Sequence, residues 1–167
     1  DRSELLLENI QSRDSVTQVE AKIGMDRYQM NAANLPSIYK ILEQDFSFDT
    51  LQNRSIHDLM FQELLYTQDE STLPFLEQLF RKRTSDEDTQ KDILITLSNM
   101  KNEASYDLFF KLSKDYKKEI FDGYRYDNLF ESMRDTATLT ASYYNEILDL
   151  RKNQAFQYSV IISFLVY

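Results

Sequence analysis

The chain has 167 residues, enough for one domain with a real core, yet only two glycines, two prolines, one histidine and no cysteine. Average usage would give roughly 12 glycines and 8 prolines, so the turns that sandwiches, barrels, dinucleotide loops and Walker loops require cannot be made from Gly24 and Gly123. Without cysteine there are no disulfides, thiolate zinc sites or cysteine nucleophiles, and a net charge of −9 argues against nucleic acid as a partner.

Leu5, Leu6 and Ile10 predict a short leading helix. Val16, Val19, Ile23 and Tyr28 recur at helical spacing and predict the core-facing stripe of the next, with Gly24 a tolerated weak point. Asn34 then offers an N-cap for Leu35-Pro36-Ser37-Ile38-Tyr39-Lys40-Ile41-Leu42. Proline in the first turn of that helix loses little, because its missing N–H would have no intrahelical partner there. Phe46 and Phe48 fall in a long connector and are expected to tuck beneath the helices. Ile56, Leu59, Met60 and Leu64 mark the following buried stripe. His57 has no oriented partner in sequence, since Asp58 points elsewhere on a helix, and reads as a surface or boundary histidine.

The Leu-Pro start then reappears. Thr72 is the expected cap of Leu73-Pro74-Phe75-Leu76-Glu77-Gln78-Leu79-Phe80, which aligns with residues 35–42. Ser85 is the expected N-cap of the next helix, with Asp86, Glu87 and Asp88 in its first turn and Ile93, Leu94 and Leu97 along its core face. These three acids lack the alternating spacing and glycine of a calcium loop, so they read as helix-start charges. A third copy, Tyr106-Asp107-Leu108-Phe109-Phe110-Lys111-Leu112, follows Lys101–Ser105, which parallels Gln68–Thr72. Leu129, Phe130 and Met133 predict another partner helix, and Tyr144–Leu150 is a fourth copy. The apolar tail, residues 156–167, is shorter than the roughly 18 residues of a membrane span and reads as a buried helix. A start at Asp1 and an apolar end suggest a piece of a longer protein.

Spacing between copies is irregular, as loops of variable length allow. Together they predict an all-α domain over residues 1–167 with about four antiparallel hairpins, at 14–45, 54–83, 86–116 and 124–152. Such hairpins are too thin to bury their own apolar faces, and stacking them gives an α-solenoid. A compact helical bundle is the alternative.

The run Asp69–Phe80 followed by Asp86–Leu97 resembles the HEAT-like repeat, in which a short acidic turn leads to a Leu-Pro helix and a second acidic turn to its partner. Asn102–Phe109 looks like the start of the next unit. Tyr66-Thr67-Gln68 stands where that family usually has an inter-helix glycine, and Gln90 and Lys91 stand where it has an early arginine. Ser105–Leu112 with Tyr124–Met133 is also similar to the helical region of large bacterial proteins carrying a TraB/GumN-type domain. This second resemblance implies a non-catalytic appendage of an envelope-associated protein; otherwise the chain is expected in the cytoplasm. The catalytic Gly- and His-containing motifs of that family are absent here.

The resulting expectation is a helical-repeat interaction or scaffold module without catalysis or cofactor of its own, engaging a protein partner or other domains of the same polypeptide. Its candidate partner residues are Tyr124, Arg125 and Tyr126, in a segment where Gly123 breaks the helical rhythm, and the helix-end cations Arg81, Lys111 and Lys114. The alternative is an all-α enzyme domain or accessory subunit that uses carboxylates and tyrosines in a groove.

Overall fold

A computed structural model describes residues 2–49, 51, 56–116, 143 and 146. Its helices are α1 (Arg2–Asn9), α2 (Ser15–Arg27), α3 (Leu35–Leu42), α4 (Ile56–Thr67), α5 (Thr72–Lys82), α6 (Glu87–Asn99) and α7 (Glu103–Ser113), with a 3-10 turn at Ala32–Asn34 running into α3. No strand occurs among the described residues, so the all-α class is the one the scarce glycine and proline imply. Apart from Tyr143 and Glu146, the expected hairpin at 124–152, with Leu129, Phe130 and Met133, lies outside them, as does the tail at 156–167.

Two units divide the chain, residues 1–79 and 80–167, and the boundary falls within α5. In the first, α1 lies against α2, α3 lies against α4, and α1 also meets α3. In the second, α6 packs on α7, but in the first the main packed pairs are α1–α2 and α3–α4 rather than the α2–α3 and α4–α5 pairs expected at 14–45 and 54–83. The packing therefore establishes helix on helix and not the expected hairpin pattern. The first core collects Leu7 and Ile10, Ala21 and Met25, Ile38 and Ile41, and the Ile56, Leu59, Met60 and Leu64 stripe, all buried. Ile93, Leu94, Leu97, Tyr106, Phe109 and Leu112 form the buried set of the second. The two Leu-Pro helices bury matching positions, Ile38 with Leu76, Ile41 with Leu79 and Leu42 with Phe80.

The α2 helix corrects the sequence reading. Val16, Val19, Ile23 and Tyr28 are 63%, 44%, 47% and 38% exposed. The buried face is instead Gln18, Ala21 and Met25, on the opposite side of the helix. Gln18 is tolerated inside because its Nε2 donates to the carbonyl of Ile10 at 3.2 Å, and a buried polar group costs little once paired. With apolar residues on both sides, α2 has almost no amphipathic signature from which its buried face could be chosen.

Helix starts are built differently from the expected caps. Neither Asn34 nor Thr72 caps through its side chain; both are buried. An acceptor side chain three residues earlier bonds the turn that leads into each of these helices. Asn31 accepts from the backbone N–H of Ala33 at 2.9 Å, and Asn34 answers by accepting from the N–H of Asn31. Asp69 accepts from the N–H of Ser71 at 2.8 Å. Asn102 accepts from the N–H of Ser105 at 2.8 Å in a capping box that opens α7. Asn31, Asp69 and Asn102 fall at aligned positions when the Leu-Pro segments and Tyr106–Leu112 are superposed in sequence.

A second equivalence was not read from the sequence. Asp14 accepts from Thr17 through both N–H and hydroxyl, at 2.8 and 2.6 Å. Asp86 accepts from Thr89 in the same way, at 3.0 and 2.7 Å, and is the N-cap of α6 in place of Ser85. The next residue is a buried glutamine in both cases, and Gln90 donates to the carbonyl of Phe80 at 3.0 Å as Gln18 does to Ile10. The string Asp-x-x-Thr-Gln therefore builds one device twice, capping its own helix and pairing a carbonyl at the end of the preceding one.

Helix ends explain how the chain turns with so little glycine. Gln68 after α4 and Lys101 after α6 adopt left-handed backbone, with φ of 47° and 57°, where glycine is the usual choice. Gly24 faces α1: a Cβ there would stand 2.5 Å from Leu6 Cδ2, so a larger residue would require the Leu6 side chain to shift.

Candidate functional site

A polar and aromatic cluster in the second unit is built on α7. The Asn102 capping box sets the start of the helix, and its 3.6-residue period then separates two kinds of side chain. Tyr106, Phe109 and Phe110 turn inward and are buried, while Glu103, Asp107 and Lys111 lie on the exposed side. Tyr143 joins the two. Its ring stacks on Phe110 at 5.0 Å and meets Tyr106 edge-on at 6.1 Å. Its hydroxyl donates to Asp107 Oδ1 at 2.6 Å, with the Glu103 carbonyl 3.2 Å away.

Burial is the main reason the Tyr143 phenol is held above its ordinary range. The hydrogen bond to Asp107 and the nearby charges of Asp107 and Glu103 push in the same direction. Tyr143 is therefore a neutral donor across the physiological range, and Asp107 an exposed carboxylate oriented by it. The pair can hold a donor group, ammonium or hydroxyl, at the free lone pairs of Asp107. Neither residue was singled out as functional by sequence.

The candidate helix-end cations are placed as follows. Arg81 pairs with Asp115 at 3.3 Å, both about half exposed. Lys114 pairs with Glu146 at 2.8 Å, so a carboxylate of this chain already takes up part of its charge. Lys111 is exposed on α7. Tyr124, Arg125 and Tyr126 lie outside the described residues. His57 is half-buried, its ring edge-on to Phe46 at 5.7 Å, and Phe46 meets Phe48 at the same distance, so the connector aromatics cover the start of α4.

In the first unit a groove of about 530 Å³ is lined by residues of α1 and α3, among them Glu4, Glu8, Ser37 and Lys40. Hydrogen bonds from Ser37 (2.6 Å) and Asn34 (2.7 Å), in that order, hold the Glu4 carboxyl below its ordinary range. Among the described residues no group of three or more His, Cys, Asp or Glu is placed to hold a metal ion. No helix among them is long and apolar enough to cross a membrane.

No family model, curated protein or solved structure matches this chain. What the fold supports is an all-helical domain.

Proposed function

We propose that the chain is an all-α enzyme domain or accessory subunit that works through a tyrosine and carboxylates on α7. The observation that carries this reading is the 2.6 Å bond from Tyr143 to Asp107 beside Glu103, over an aromatic floor. The neutral phenol supplies a fixed donor and orients Asp107, and the carboxylate receives the ammonium or hydroxyl of a small ligand. The test is a binding and turnover screen of small amines and polyols on the full chain, repeated with Asp107→Asn and Tyr143→Phe. The expected result is a hit weakened tenfold or more by either substitution, with helicity retained. No hit, or hits indifferent to both substitutions, overturns the proposal.

The helical-repeat scaffold is the second reading, and separate observations favour it. Asn31, Asp69 and Asn102 stand at aligned positions of the three copies and each accepts from a backbone N–H of the turn or helix that follows, and the Asp-x-x-Thr-Gln device occurs before both α2 and α6. Equivalent starts with variable spacing are what a HEAT-like solenoid requires. The exposed Val16, Val19 and Ile23 stripe would be its contact face. Cross-linking in the host with Val19→Glu and Ile23→Glu chains tests it: loss of a wild-type cross-link supports the scaffold, and an unchanged pattern counts against this face.

A further inference from the structure

We draw no further inference here: the strongest candidate, the exposed Val16, Val19 and Ile23 stripe along α2, is an unpartnered apolar helix face, and nothing in the structure shows what covers it.

Discussion

The side-chain amide of Gln18 donates to the backbone carbonyl of Ile10 at 3.2 Å from a fully buried position on α2. The carbonyl lies at the end of α1, where helix oxygens lack intrahelical donors. Gln90 does the same for Phe80 near the end of α5. Truncating either side chain leaves a buried carbonyl unpaired, at a cost of about 1–3 kcal/mol. Gln18→Ala and Gln90→Ala should therefore lower the urea midpoint clearly. Gln11→Ala should stay within about 0.5 kcal/mol of wild type, because that amide bonds only Leu7 on its own chain segment from a part-buried site. Midpoints equal to wild type for both buried glutamines would remove the pairing argument.

Left-handed backbone at Gln68 and Lys101 carries a penalty of about 1–2 kcal/mol for a residue with a Cβ. Glycine removes it but gains freedom in the unfolded chain, which offsets about 0.5–1 kcal/mol. Gln68→Gly and Lys101→Gly should each stabilise by about 0.5–1 kcal/mol, with the Ala variants close to neutral as controls. Calorimetric melting checks this. A lower Tm for both glycine variants would mean that these side chains contribute contacts outweighing the backbone strain.

These two features mark the limits of sequence reading in this chain. The Leu-Pro starts were legible because proline tolerates few positions, and the α4 and α6 stripes because their apolar residues lie on one face. The turns were not, since left-handed Gln and Lys leave no compositional trace. The buried side of α2 was not, because Val16, Val19 and Ile23 outrank Gln18, Ala21 and Met25 in hydrophobicity. A buried glutamine is recognisable only once its carbonyl partner is known. The α7 site escaped for a similar reason: Asp107 and Tyr143 are distant in sequence, and tertiary packing of the Tyr143 ring on Phe110 and Tyr106 is what brings its hydroxyl to Asp107.

The two sides of α2 should respond oppositely to charge. Val19→Glu and Ile23→Glu place a carboxylate on an exposed face and should change stability by about 0.5 kcal/mol or less. Ala21→Glu and Met25→Glu bury one without a partner and should prevent cooperative folding. Denaturant melts of the four variants settle the orientation of the helix. Severe loss on the valine and isoleucine side would reverse it.

Glu4 joins α1 to α3 by accepting from Ser37 and Asn34. Its folded-state pKa is depressed below the ordinary value of 4.5. The stability it contributes is therefore present above that value and is lost as pH falls through the lower, folded one. Wild type should lose stability below about pH 4.5 more steeply than Glu4→Gln, a difference readable as urea midpoints at pH 7 and pH 3. Parallel losses in the two proteins would show that Glu4 is not a linked group.

Tyr143 gives the opposite pH dependence. Its phenol is held above the ordinary value of 10 by burial and by the bond to Asp107. Stability from the neutral phenol is fully present below pH 10 and is lost as pH rises through the higher, folded value. Tyr143→Phe keeps the ring on Phe110 and removes only the hydroxyl, so it should cost about 0.5–1.5 kcal/mol. Tyr143→Ala also removes the stacking surface and should cost about 3–5 kcal/mol, as large aromatic truncations do. Burial also raises the Tyr39 phenol, so alkaline titration followed by tyrosinate absorbance should show more than one late-titrating tyrosine in wild type, with the latest of them missing from Tyr143→Phe. Asp107→Asn removes the neighbouring charge while keeping an acceptor, so that latest group should move to lower pH. If the number and position of the late-titrating tyrosines are the same in Tyr143→Phe as in wild type, the Tyr143 hydroxyl is not a held, neutral group and the proposed donor role falls with it.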